Sequence, residues 1–321
     1  MSPAESIGVD LGGTKMLVGV LDGGSEVVWE SREGSKGQTE QELVELLVRE
    51  IGEARAQRTG VGAIGMGIPA TIDRERGVAV SAVNLPIEDL PLRDLVAKRT
   101  GLPAFLDNDG NVAALAEFLY GAAKGARNVV MLTIGTGIGG GLILNGEPYR
   151  GSTGAGAELG HFTIDLDGPR CQGNCPNSGC LETLTSGTAI GREGRAAAER
   201  EPDSALGRLL AEGHAIDGRQ VTEAARAGDA AAIGVLDLIG GRLGIGLAGL
   251  ANIFEPEVIV VGGGAMAAGD LILEPARREL AARALRPMNG TPIVPAELGA
   301  DAGMIGAAAM ARIELERGGG G

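Results

Sequence analysis

Cys171, Cys175 and Cys180 fall within ten residues of one another, and His161, one of only two histidines, lies in the same twenty-residue span. Three thiolates and one imidazole suit a zinc ion and fill its tetrahedral shell, leaving no position for a reactive water, so the metal they suggest is structural. An odd number of cysteines spaced Cys-x3-Cys-x4-Cys fits a metal knuckle better than a disulfide framework. Three free buried thiols are the other reading of the same residues. A metal here would stiffen a Gly- and Pro-rich loop and hold Glu158 and Glu182, carboxylates able to accept hydrogen bonds from sugar hydroxyls. His214, in Glu-Gly-His-Ala, has no neighbouring ligand type and receives no role.

A second group lies in Leu106-Asp-Asn-Asp-Gly-Asn111, an apolar approach followed by polar residues at the start of a helix. Any of these side chains could simply cap that helix. Phosphoryl transfer to an alcohol, however, needs a carboxylate that orients the hydroxyl and accepts its proton, and Asp109 is the candidate, with Asn108 as a sugar-hydroxyl partner. Two Gly-rich turns could supply the phosphate contacts. In Asp10-Leu-Gly-Gly-Thr-Lys15, Gly12 and Gly13 let backbone N–H groups approach anionic oxygens, Thr14 adds a hydroxyl, and Asp10 could hold Mg2+ directly or through water. A plain hairpin with a solvated Asp would use the same residues. The spacing is not that of a Walker A loop. Gly135-Thr-Gly-Ile-Gly-Gly-Gly141 contains Gly-x-Gly-x-x-Gly, but a strand (Leu142-Ile-Leu) follows instead of a helix, so the dinucleotide fingerprint lacks its context. Two such hairpins facing one another would clamp ATP.

The elements that must position these groups alternate strand and helix, indicating an α/β fold. Apolar segments flank Gly12-Gly13-Thr14 as a hairpin, and Gln38–Arg58 carries Leu43, Val44, Leu46, Leu47 and Ile51 at helical spacing behind a Thr39/Glu42 capping box. Val61–Pro69 reads as a strand ending in a turn, Asn111–Tyr120 as a helix, and Val258–Val261 as a buried parallel strand leading to Gly262-Gly263-Gly264. Sliding the chain by 123 positions lays Thr133-Ile-Gly-Thr-Gly over Asp10-Leu-Gly-Gly-Thr and Leu144-Asn-Gly over Leu21-Asp-Gly. This is either a duplicated domain or a chance likeness of two hairpins. Gly318–Gly321 reads as a frayed tail.

At 321 residues the chain is long enough for about two domains. Aromatics are only 2% of the residues, so Val, Leu, Ile and Ala must fill the core, and base-stacking nucleic-acid modules lack their main tool. A net charge of −14 repels phosphate backbones and anionic lipid heads, which argues against nucleic-acid and membrane partners. The start has no basic cluster before an apolar run, and apolar stretches are interrupted by Gly, Thr or Arg242 before they reach membrane-spanning length. A cytoplasmic protein is expected.

Together these segments resemble the ROK family (repressors, open reading frames and kinases), specifically its glucokinase-like sugar kinases. The resemblance rests on Asp10–Thr14, Gly67-Ile-Pro69, Asn84-Leu-Pro86, Asn108-Asp109, the stretch from Gly135 through Glu182, Val261–Gly264 and Gly303-Met-Ile-Gly-Ala307. It implies an actin/hexokinase-like (ribonuclease H-like) duplicated fold with two lobes and a central cleft. The expected lobes are 1–108, joined by a C-terminal helix at 303–317, and 109–302, with a zinc knuckle at 161–180. It also implies an ATP- and Mg2+-dependent hexose kinase acting on the 6-hydroxyl of glucose. Asp109 would be the base, and Asn84, Asn108, Glu158, His161 and Glu182 would bind sugar. Asp10, Gly12, Gly13, Thr14, Lys15, Thr133, Gly135, Thr136, Gly137 and Gly262–Gly264 would bind nucleotide. His161 would serve both zinc and sugar, and a homodimer or dimer of dimers is expected.

Other substrates remain open at this point: N-acetylmannosamine, N-acetylglucosamine, fructose or mannose, or polyphosphate as donor. A sugar-sensing repressor is the other class, but such proteins carry a helix-turn-helix ahead of the kinase-like part, and nine residues precede Asp10. Three departures from the family pattern bear on sugar preference: Ala70 where Gly is common, Ile87 where an aromatic is common, and Cys-x3-Cys for Cys-x-Cys.

Overall fold

β1 (Glu5–Leu11) and β2 (Lys15–Leu21) pair antiparallel, with Asp10 opposite Leu17, in the computed structural model, which describes residues 5–318. Ile7, Val9 and Leu11 are buried because β1 has neighbours on both edges, β2 on one and the parallel β4 (Val61–Ile68) on the other. β3 (Val27–Gly34) extends the sheet beyond β2. The crossover from β3 to β4 is α1 (Glu40–Gln57), which begins at Thr39, where both halves of the capping box form. Its apolar stripe, Leu43, Val44, Leu46, Leu47 and Ile51, is buried.

A small antiparallel sheet follows, made of β5 (Ala70–Asp73), β6 (Val78–Ala82) and β7 (Glu88–Leu90). After α2 (Leu92–Thr100), β8 (Ala104–Asn108) runs parallel to β4 and completes a five-stranded sheet in the order β3-β2-β1-β4-β8. α3 (Asp109–Tyr120) begins at the next residue.

The same order recurs. β9 (Val129–Ile134), β10 (Ile138–Leu144), β11 (Glu147–Tyr149), β12 (Val258–Gly262) and β13 (Ile293–Pro295) form a sheet ordered β11-β10-β9-β12-β13. A shift of 123 carries β2 onto β10 end to end, Lys15–Leu21 onto Ile138–Leu144. Shared strand order, which chance likeness between two Gly-rich turns would not produce, makes the repeat a duplicated fold. Between β11 and β12 lie the short α4 (Leu181–Thr185), α5 (Gly187–Arg200), α6 (Ala205–Ala211), α7 (Gly218–Arg226) and α8 (Ala230–Phe254). α9 (Asp270–Arg283) precedes β13, and α10 (Ala302–Gly318) ends the described chain. Gly318 closes that helix; the rest of the expected tail, 319–321, lies outside the described residues.

Two compact units divide the chain. Described residues up to Gly125, residues 141–157 and those from Glu297 onward form the first, and residues 126–140 and 158–296 form the second. This division differs from the lobes expected from sequence because α3 packs along α10 inside the first unit. α10 is dominated by Gly and Ala, which lets it press on β1 and β4; a Cβ added at Gly65 would stand 1.8 Å from the Ala307 carbonyl oxygen.

In the second unit, α8 is long and apolar enough by length and composition to cross a membrane even with Gly residues and Arg242 within it, and more than half of that stretch is buried. The charge is accommodated locally: Arg242 Nη1 lies 3.0 Å from Glu193 Oε1 on α5, and α8 packs against α5, α7 and α9.

Candidate active site and metal centre

β8 passes into α3 with no loop between them, so Asn108 and Asp109 sit at the junction. Asn108 is the cap: its Oδ1 accepts from the Gly110 N–H at 2.8 Å. Asp109 is therefore the first helical residue, half-buried, with Oδ1 also accepting from Gly110 N–H at 2.8 Å. Asn108 Nδ2 donates to the Ala70 carbonyl at 3.3 Å, which leaves the amide a second N–H and further acceptor capacity.

Burial pushes the Asp109 carboxyl above the ordinary Asp range, against the lowering effect of the Gly110 N–H. Asp10, at the end of β1, is raised to about 6, chiefly by burial and then by the charge of Asp109, with Lys15 opposing. Two carboxylates that disfavour each other's charge form a setting that a divalent cation relieves and a proton-accepting base uses. The turn between β1 and β2 also meets Asn84, since a Cβ at Gly13 would stand 2.8 Å from the Asn84 Cβ. Thr14 and Lys15 are exposed there. The first unit thus brings together Asp10, Gly13, Asn84 and the Asn108–Asp109 junction.

In the second unit, the turn between β9 and β10 is held from one side by Glu182, whose Oε2 accepts from the Ile138 N–H at 2.8 Å. A Cβ at Gly137 would come within 2.4 Å of that same oxygen, so a side chain there would displace the Glu182 carboxylate. Gly187 N–H donates to the Gly135 carbonyl at 2.7 Å and Thr188 Oγ1 to the Thr136 carbonyl at 2.8 Å. Gly262 pairs with Thr133 across β12 and β9, and Gly263 takes a positive φ of 88° beside Ile134. Thr133, Gly135–Gly137 and Gly262–Gly264 are accordingly gathered at one end of one sheet.

His161 and the three cysteines converge on one another in the same unit. His161 Nδ1 lies 3.5 Å from Cys171 Sγ, Cys175 Sγ lies 3.9 Å from Cys180 Sγ, and the ligand atoms of all four residues fall within 4.8 Å of one another. A tetrahedral ion with metal–sulfur bonds of about 2.3 Å and a metal–nitrogen bond of about 2.0 Å needs ligand atoms roughly 3.5–3.8 Å apart, so the four side chains fit zinc in type and spacing. Burial and the neighbouring thiols push the Cys171 thiol up, a cost that a bound cation would relieve. The loop is knitted by Cys171 N–H to the Asn177 carbonyl at 2.9 Å and Gly179 N–H to the Pro169 carbonyl at 2.8 Å. His161 turns Nδ1 to the thiols and Nε2 toward Glu158, whose Oε2 is 4.0 Å away. Cys171 Sγ is 3.9 Å from Glu182 Oε1, so one carboxylate meets both the thiol cluster and the Gly135–Gly137 turn.

Sequence reasoning missed two carboxylates of the first unit. Asp107 is fully buried and bonds Asn108 N–H at 2.9 Å, Asn111 Nδ2 at 3.0 Å and Arg150 Nε at 2.5 Å. Glu117, also fully buried, accepts from the backbone N–H groups of Ala122 at 2.8 Å, Glu297 at 3.2 Å and Leu298 at 2.8 Å. The only hint in the sequence is an acidic residue on the apolar face of a helix or strand, where an uncompensated charge would be costly.

The sequence profile of the ROK family matches residues 6–314. A glucokinase of Halalkalibacterium halodurans is 36% identical over 95% of this chain and 94% of its own, and a glucokinase of Thermotoga maritima is 37% identical over 97% and 98%. The crystal structure of a ROK family glucokinase from Streptomyces griseus, in complex with glucose and AMPPNP, superposes with a TM-score of 0.84 at 34% identity, covering 96% of this chain and 99% of that one. Xylose repressors also match, at 28–30% identity, and the match covers 62–68% of their length. With the repeated sheet, the two Gly-rich turns and the Cys/His cluster in place, the fold is the actin/hexokinase-like one and the chain belongs to the ROK family.

Proposed function

We propose that the chain is an ATP-dependent glucokinase, transferring the γ-phosphoryl group of ATP to the 6-hydroxyl of glucose. The observation that carries this reading is Asp109: a half-buried carboxylate with a raised pKa at the first position of α3, on a helix already capped by Asn108. Asp109 orients the hydroxyl and accepts its proton as the new bond forms. Asn84, Asn108, Glu158, His161 and Glu182 bind the sugar. Asp10, Gly12, Gly13, Thr14 and Lys15, together with Thr133, Gly135–Gly137 and Gly262–Gly264, bind the nucleotide.

Asp10 would hold Mg2+ directly or through water, and the ion would supply charge neutralisation at the phosphate oxygens. Zinc on His161, Cys171, Cys175 and Cys180 is structural, since four protein ligands complete its shell. The orientation of His161, with one nitrogen toward the thiols and the other toward Glu158, supports its double role. The enzyme is cytoplasmic and assembles as a homodimer or dimer of dimers.

A coupled ADP-release assay over glucose, mannose, fructose, N-acetylglucosamine and N-acetylmannosamine, with ATP, GTP or polyphosphate, tests the reading. Glucose with ATP should give the highest kcat/KM. A higher value for another sugar or donor reassigns the substrate, and no turnover on any pair, with DNA binding at physiological salt, reassigns the class.

A further inference from the structure

We infer that Arg150 and Asp107 form a positioning pair for the phosphoryl-transfer step, a role that rests on reading Asp109 as the base. Asp107 is the penultimate residue of β8, with 0% exposure. Its Oδ1 accepts from the Asn108 N–H at 2.9 Å and from Asn111 Nδ2 at 3.0 Å, groups on either side of Asp109 in the chain. One oxygen therefore fixes both the last residue of the strand and the first turn of the helix that presents Asp109.

Its other oxygen, Oδ2, takes Arg150 Nε at 2.5 Å, and Arg74 Nε stands 3.9 Å away. Arg74 also pairs with Glu314 at 2.9 Å, so Arg150 is the cation committed most closely to Asp107. Arg150 is itself fixed: its side chain is 13% exposed, Nη1 donates to the Pro148 carbonyl at 3.4 Å, and its own carbonyl accepts from the Gly156 N–H at 2.8 Å.

A carboxylate buried this deeply needs partners for both oxygens, and without Arg150 it turns toward Arg74 or toward water. Either response disturbs the Oδ1 contacts that brace Asp109. A displacement of about 1 Å at a reacting group lowers the rate about 100-fold while leaving ground-state binding largely intact. The pair acts on kcat through Asp109 and touches no substrate.

The test uses the full chain and compares Arg150→Met, Arg150→Lys, Asp107→Asn and Asp109→Asn by steady-state kinetics, glucose binding calorimetry and thermal melting. Arg150→Met should lower kcat about 10- to 100-fold with glucose Kd within about threefold, and Arg150→Lys should recover most of that loss by returning a cation. Asp107→Asn, which keeps an oxygen for Asn108 and Asn111 but sets an amide against Arg150, should lose kcat in the same way. Should Arg150→Met fail to fold, Arg150→Lys and Asp107→Asn carry the same comparison. Unchanged kcat in folded Arg150→Met or Asp107→Asn, beside an inactive Asp109→Asn, overturns the pair alone. Loss of glucose binding and of melting temperature in step with kcat, without rescue by lysine, overturns positioning in favour of a structural role. An active Asp109→Asn overturns the functional reading itself.

Discussion

The turn between β1 and β2 and the turn between β9 and β10 occupy equivalent places in two sheets of the same strand order, yet different chemistry surrounds them. Around the first, burial raises Asp10 and Asp109, the charge of Asp109 raises Asp10 further, and Lys15 partly offsets that rise. At the second, Glu182 accepts a backbone N–H from the turn and approaches the thiol of Cys171, so the turn is braced by a loop that a metal could stiffen. Duplication kept the strand order, which hydrophobic alternation and backbone pairing enforce, and left the side chains at the strand ends free to diverge. One copy carries groups that titrate; the other carries groups that hold.

The sharpest way to break that contrast is Asp109→Asn. Turnover should fall about 10²- to 10⁴-fold while glucose affinity stays within about threefold, read by coupled assay and calorimetry. In the unaltered enzyme, activity should rise with pH through an ionisation displaced above the ordinary Asp value, because the base works deprotonated and burial holds its proton on. Substantial turnover in Asp109→Asn would place the titrating role elsewhere.

On the bracing side, Cys175→Ser should abolish bound zinc by elemental analysis and lower the melting temperature by roughly 3–6 °C, about 2–4 kcal/mol for a chain of this size. Chelation should do the same. A metal-free variant that melts with the parent would remove the structural assignment.

Asp10→Asn tests the first turn as a stability effect. The Asp10 carboxyl binds its proton more tightly in the folded state than the ordinary value of 3.8 and titrates at about 6, so its charge costs stability above that pH and nothing well below 3.8. The variant should therefore melt higher than the parent at pH 7.5, by up to about 2–3 kcal/mol, with the gap closing toward pH 3.5, even as activity is lost. An equal gap at both pH values would mean that packing, not charge, sets the cost.

Gly137→Ala should have the smallest effect. The added methyl displaces Glu182 Oε2, and the KM for ATP should rise about fivefold, roughly 1 kcal/mol, with less change in the KM for glucose. A larger change for glucose would make Glu182 chiefly a sugar ligand.

Much of the site was legible because its signals are local. The Thr39–Glu42 box, the Gly12–Gly13 turn and the Cys/His spacing each declare themselves within a few residues, and each forms a local structure of the expected kind. The capping of α3 was ambiguous because Asn108 and Asp109 are both good caps, and backbone conformation assigned the role to Asn108. Glu182 read as a sugar ligand, yet its contact with Ile138 spans 44 residues and no spacing rule reaches that far. Asp107 with Arg150, and Glu117 with Leu298, were hidden for the same reason.

By itself the sequence determined the α/β alternation, the donor set of the thiol cluster and the candidate carboxylate, because these depend on residue type and short-range spacing, whereas the likeness at 123 positions became a duplication only through the shared strand order. Tertiary structure decided which carboxylates are free to react and which are committed to holding backbone and arginine. That choice depends on burial and on partners supplied by distant segments, and the electrostatic cost of an unpaired charge becomes large only after the chain has closed around it.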